Sequence, residues 1–110
     1  MVDGFWLVQF EGIQGGGSGV AVLLNGKIYG GETGFTYTGD YKVQDNVLYA
    51  RCHIHRFLED MSHLLPIQGN DFDLDIQGQI QDNVIAAQAS LVPPISIGLA
   101  LKLTKHSNLG

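Results

Sequence analysis

Short segments that alternate apolar and polar residues with a period of two, separated by glycine, asparagine and aspartate, run through nearly all of this 110-residue chain. That pattern restricts the chain to antiparallel β-structure joined by tight turns. Residues 4–10 (Gly-Phe-Trp-Leu-Val-Gln-Phe) form a first predicted strand, and a glycine-rich connection, read as a flexible hairpin loop, leads to a second at 19–24. Asn25-Gly26 supplies the positive φ angles of a two-residue turn before Lys27, Ile28 and Tyr29. From Phe35 to Val43 the residues Phe35, Tyr37, Gly39, Tyr41 and Val43 alternate with Thr36, Thr38, Asp40 and Lys42, and Asp45-Asn46 turns the chain. In the next strand, 47–57, Leu48, Ala50, Cys52 and Ile54 share one face while Tyr49, Arg51, His53 and His55 share the other. Leu58, Met61, Leu64 and Leu65 have helical spacing ahead of Pro66, which predicts one short helix. Strand pattern resumes over 72–80, over 84–92 beyond Asp82-Asn83, and over 95–104 beyond Pro93-Pro94. The expected fold is all-β: a single domain, 1–110, forming an eight-stranded antiparallel up-and-down barrel closed on itself to remove its edges. A two-sheet sandwich is the alternative.

Composition narrows the classes. A content of 45% hydrophobic residues is enough for a core, and the single Cys52 excludes an internal disulfide. Six Lys and Arg against eleven Asp and Glu give a formal charge of −5, which argues against a nucleic-acid partner. No apolar run reaches the roughly 18 residues of a membrane helix, and Met1 is followed by Asp3 and Gly4 rather than by a basic leader, so a cytoplasmic protein without a membrane anchor is expected.

The chemical motifs are incomplete. The run from Gly12 to Gly19 offers backbone amides to an anion, but Val20, Ala21, Val22, Leu23 and Leu24 follow as a strand where a phosphate loop needs a helix. His53 and His55, two apart in a strand, project from one face and could hold one divalent metal, but no motif supplies a third ligand and ordinary polar residues beside Arg51 on a solvated face are the expected reading. Asp71-Phe72-Asp73-Leu74-Asp75 imitates the start of a calcium loop, but Ile76 stands where that loop needs glycine. Gly17-Ser18-Gly19 lacks the flanks of a nucleophile elbow, and Cys52 lies on an apolar strand face. No catalytic residue, metal or cofactor is assigned, and a non-enzymatic protein is expected.

Two kinds of binding surface are readable. Phe5, Leu7, Leu48, Ile54, Phe72, Leu74, Ile76, Leu99 and Leu101, with Val20, Val22, Ile85 and Leu91, could line a barrel interior that is either a packed core or a cavity for a small apolar ligand such as a fatty acid or lipid. Ala50, Ala87, Ala89 and Ala100 would widen it where they point inward. Outside, Asp40, Asp45, Asp71, Asp73 and Asp75 make a carboxylate surface suited to a protein partner. Trp6, Tyr29, Tyr37, Tyr41 and Tyr49 are too many for so small an interior, which points to an interface and a homodimer.

Asp3-Gly4-Phe5, Gly17 and Gly19, Asn25-Gly26-Lys27-Ile28 with Gly30-Gly31-Glu32, Tyr37-Thr38-Gly39, His53-Ile54-His55-Arg56-Phe57 and the Gly69 to Leu74 stretch, in that order, resemble the GrlR family of small bacterial negative regulators. The resemblance spans nearly the whole chain. It implies a lipocalin-like barrel with an apolar cavity, a homodimer, and repression through binding of a transcriptional activator rather than DNA. The family's acidic loop corresponds here to Tyr41-Lys42-Val43-Gln44-Asp45-Asn46, in which Asp45 is the sole acidic residue, so the family's activator-contacting residues are not carried over.

Overall fold

The computed structural model describes residues 2–12, 15–58, 69–92 and 95–109, with the side chains of 95–97 left aside. Its strands are β1 (Gly4–Gly12), β2 (Gly15–Leu24), β3 (Lys27–Glu32), β4 (Phe35–Gln44), β5 (Val47–Arg56), β6 (Asp71–Gln81), β7 (Val84–Leu91) and β8 (Ile95–Ser107). Each pairs antiparallel with the next, and β8 returns to β1 in a register running from Phe5 opposite Ser107 to Glu11 opposite Ala100. The sheet therefore has no free edge, which decides for the expected barrel over the sandwich. No helix occurs among the described residues; the short helix expected over 58–65 falls, from residue 59 onward, outside them. Among the described residues no helix is long and apolar enough to cross a membrane.

One end of the barrel is built by three tight turns. Asn25 and Gly26 adopt φ of 51° and 79°, Asp45 and Asn46 54° and 63°, and Asp82 56°. Asparagine, aspartate and glycine tolerate this left-handed region, which is why they occupy these positions. The turn carbonyls of Gly26, Asn46 and Asn83 accept hydrogen bonds from the backbone N–H of Tyr41, Ile80 and Lys105 at 2.8–2.9 Å, fastening each hairpin to the strand beyond it. The first residues of the chain are tied to the same end: Trp6 Nε1 donates to Val2 O at 2.8 Å, and the Tyr41 hydroxyl donates to Asp3 Oδ1 at 2.5 Å.

The glycine run read as a hairpin loop is strand instead. Gly15, Gly16 and Gly17 pair with Gly12, Glu11 and Phe10. A Cβ on Gly16 would lie 2.8 Å from Phe10 O, and one on Gly17 2.8 Å from the Phe10 ring. These glycines allow β2 to lie close against β1; they are not there for flexibility.

The core lies on the inner face of the barrel. Trp6, Val8, Ala21, Leu23, Ile28, Leu48, Ile54, Leu74, Ile85 and Leu103 are all buried there. In β1 and β2 the phase is the reverse of that expected: Phe5, Leu7, Val20 and Val22 face outward, Leu7 being 42% exposed, while Trp6, Val8, Ala21 and Leu23 face inward. Both faces of Gly-Phe-Trp-Leu-Val-Gln-Phe are apolar, so hydrophobicity alone cannot choose between them. Burial of the largest side chain, Trp6, sets the phase, and the cross-strand partners Phe5–Val22 and Leu7–Val20 follow it. Ala50, Ala87 and Ala89 point inward, whereas Ala100 is exposed.

Candidate functional site: an apolar cavity with one polar pair

The interior of the barrel is not completely filled. A cavity of about 130 Å³ remains between Val8, Phe10, Leu23, Ile28, Phe35, Ala50 and Cys52 on one side and Phe72, Leu74, Leu99, Leu101 and Leu103 on the other. Of the sequence-predicted ligand residues, Leu48, Ile54, Phe72, Leu74, Ile76, Leu99 and Leu101 lie on its wall. Phe5 and Leu7 do not, because of the inverted phase of β1; Phe5 instead meets His106 edge to face at 5.6 Å on the outside.

Two polar side chains interrupt the apolar wall: Glu32, the last residue of β3, and Tyr37, near the start of β4. The Tyr37 hydroxyl donates a hydrogen bond to Glu32 Oε1. Burial raises the Glu32 carboxyl pKa, and the hydrogen bond from Tyr37 opposes that shift. Burial and the neighbouring carboxylate both push the Tyr37 phenol upward, so it remains a proton donor throughout the ordinary pH range. Gly19 leaves room for the neighbouring strand and for the pair, since a Cβ there would sit 2.7 Å from Gly31 O, 3.0 Å from the Tyr37 hydroxyl and 3.1 Å from Glu32 Cβ. Neither residue was singled out as a site residue from sequence. The signal was present in strand parity, because Glu32 is in phase with the buried Ile28, and Tyr37 with the buried Phe35.

Cys52 also borders the cavity, and burial pushes its thiol up to about 12. A thiol is nucleophilic only as its thiolate. An aromatic disulfide reagent at pH 8 is expected to leave Cys52 unmodified in the native chain and to label it fully in denaturant; rapid native labelling would show that the strand face is open.

The outer face of β5 and β6 carries the charged residues. Arg51 forks onto Asp75 at 2.7 and 2.9 Å, His53 lies 2.7 Å from Asp73 and 2.8 Å from Asp71, and His55 Nδ1 lies 2.9 Å from Asp71. The three aspartates expected to form an acidic partner surface thus each meet a basic residue across the strands, Arg51, His53 or His55. Asp40 likewise pairs with Lys27, and Asp45 lies in its turn. His53 and His55 do share a face, but among the described residues no three His, Cys, Asp or Glu side chains are grouped to hold a metal ion.

Both ring nitrogens of His53 face carboxylates, which only accept, so both bonds form only when the imidazole is protonated. Its pKa is accordingly raised above the ordinary 6.5, first by Asp71 and then by Asp73, and that of Asp71 is lowered below the carboxylate range by His53 and His55. A raised basic group contributes stability that is complete below 6.5 and fades as pH climbs through the folded-state value; the lowered aspartate contributes above the ordinary carboxylate value and fades as acid protonates it. In an NMR titration the His53 ring should have a midpoint above 6.5, and Asp71→Asn should move it down. An unmoved midpoint would mean that the ladder is not formed in solution.

In comparison with known proteins, no family model matches this chain and no curated protein matches it significantly.

Proposed function

We propose that this barrel is a non-enzymatic binding protein of the cytoplasm whose interior takes one small apolar molecule. The observation that carries the reading is the cavity itself: about 130 Å³ of space inside the barrel, lined mainly by Leu, Ile, Val and Phe side chains. An apolar void of roughly 150 Å³ stays dry and accepts benzene. Space of that order suits a single ring or a short acyl chain, and it is smaller than the roughly 300–1,000 Å³ pockets that enclose drug-sized ligands. Within the class of fatty acids and lipids, this volume favours the short-chain members.

The test is an NMR titration of the intact chain with toluene, following the methyl groups of Leu48, Ile54 and Leu74. Saturable shifts confined to these groups, abolished by filling the cavity with Ala50→Leu, are the expected result. Absence of any shift at saturating toluene would reject the cavity as a binding site.

A second reading is that of a regulator acting through protein contacts, including a homodimer and a transcriptional activator as partner. It is supported by the resemblance to GrlR proteins and by the outward-facing Leu7, Val20 and Tyr29, which are 42%, 39% and 54% exposed. A dimer in light scattering, broken by Leu7→Glu in a chain that remains folded, would favour it. A monomer at all concentrations would count against the self-association.

A further inference from the structure

The two polar groups on the cavity wall carry a statement about the ligand. Tyr37 engages only Oε1 of Glu32, and among the described residues Oε2 has no partner. The rest of the wall consists of apolar side chains and the Cys52 thiol. A carboxylate beside an apolar cavity attracts a cation or a hydrogen-bond donor and repels an anion. The cation that parity places nearest this end is Arg56, which follows Ile54 on the inner face of β5. It is directed to Asn70 Oδ1 at 2.8 and 3.0 Å and is not part of the wall.

We infer that the cavity selects a small apolar amine, with the ring or alkyl part inside and the ammonium at Glu32, whose carboxylate Tyr37 and the space left by Gly19 hold in place. This inference rests on the cavity being a binding site, and it excludes short-chain carboxylic acids from the ligands allowed above. Glu32 is a specificity residue on this account, and Tyr37 a positioning residue acting through it.

The experiment compares benzylamine, toluene and benzoate, of similar size and differing in charge, by the same methyl NMR titration of the unmodified chain at pH 7. Benzylamine should bind about ten-fold or more tightly than toluene, the usual worth of one charge-assisted hydrogen bond, and benzoate should bind more weakly than toluene. Glu32→Gln retains an acceptor for Tyr37 and removes the charge, so it should erase the benzylamine advantage and leave toluene unchanged. Toluene binding with no benzylamine advantage, or with benzoate preferred, would overturn the amine assignment and leave the cavity reading standing. No response to any of the three would remove the cavity reading and this inference together. The comparison in the unmodified chain is decisive even where Glu32→Gln does not fold.

Discussion

Trp6→Ala should lower the stability of the barrel by about 3–5 kcal/mol, the range for truncating a large buried aromatic. Trp6 is 1% exposed, and its Nε1 donates to Val2 O at 2.8 Å, so the substitution opens a void at the turn end and releases the chain terminus together. Against the roughly 5–15 kcal/mol that holds an ordinary domain, that is a large fraction, and the thermal midpoint should fall by roughly 15 °C or more. Circular dichroism is the suitable readout, because Trp6 is the sole tryptophan and its fluorescence disappears with it. Trp6→Phe separates the two contributions: it keeps most of the buried ring and loses the hydrogen bond, for an expected cost of about 1–2 kcal/mol. Should Trp6→Ala cost less than about 1 kcal/mol, the inward phase of β1 assigned here would be wrong.

That phase marks the boundary of what the sequence could tell. In β5 one face is apolar and the other carries Arg51, His53 and His55, so inside and outside were readable, and Leu48, Ala50, Cys52 and Ile54 are buried as the pattern required. In β1, Phe5 and Leu7 compete with Trp6 and Val8 on equal hydrophobic terms, and only three-dimensional packing decides between them. The glycine run was misread for a related reason. Glycine signals a turn in sequence, whereas here it signals two backbones in close approach, and nothing within Gly15-Gly16-Gly17 distinguishes these causes. The neighbours of the acidic run were not legible because they lie on another strand: Asp71, Asp73 and Asp75 alternate along one sequence segment, and the register sets them opposite His55, His53 and Arg51. The Glu32–Tyr37 pair, by contrast, is legible in strand parity, because Glu32 is in phase with the buried Ile28 and Tyr37 with the buried Phe35.

Gly39→Ala should be comparable in damage to the loss of Trp6, although it adds a single methyl group. Gly39 lies in the middle of β4, paired with Ile28 on one side and Cys52 on the other. A Cβ at this position would stand 2.1 Å from Arg51 O and 2.9 Å from Cys52 Cα. Both obstacles are backbone, so no side chain can swing away, and β4 and β5 would have to separate where Gly39 faces Cys52. Gly30 shows the same condition, with Val20 O at 2.2 Å from its Cβ position. Glycine at such inward positions is what allows strands to coil tightly enough to close a small barrel. Overpacking a yielding core costs about 1–3 kcal/mol, so a clash with backbone on the strand joining the cavity to the charged ladder should reach about 3 kcal/mol or prevent folding. Gly26→Ala is the control: its φ of 79° carries the left-handed penalty of about 1–2 kcal/mol, but its Cβ would meet only Tyr41 O at a comfortable 3.5 Å. In urea unfolding, Gly39→Ala should therefore lose more than Gly26→Ala despite the positive φ of the latter. The reverse order would show that β4 and β5 can part at Gly39 without loss, and that barrel closure does not depend on its missing side chain.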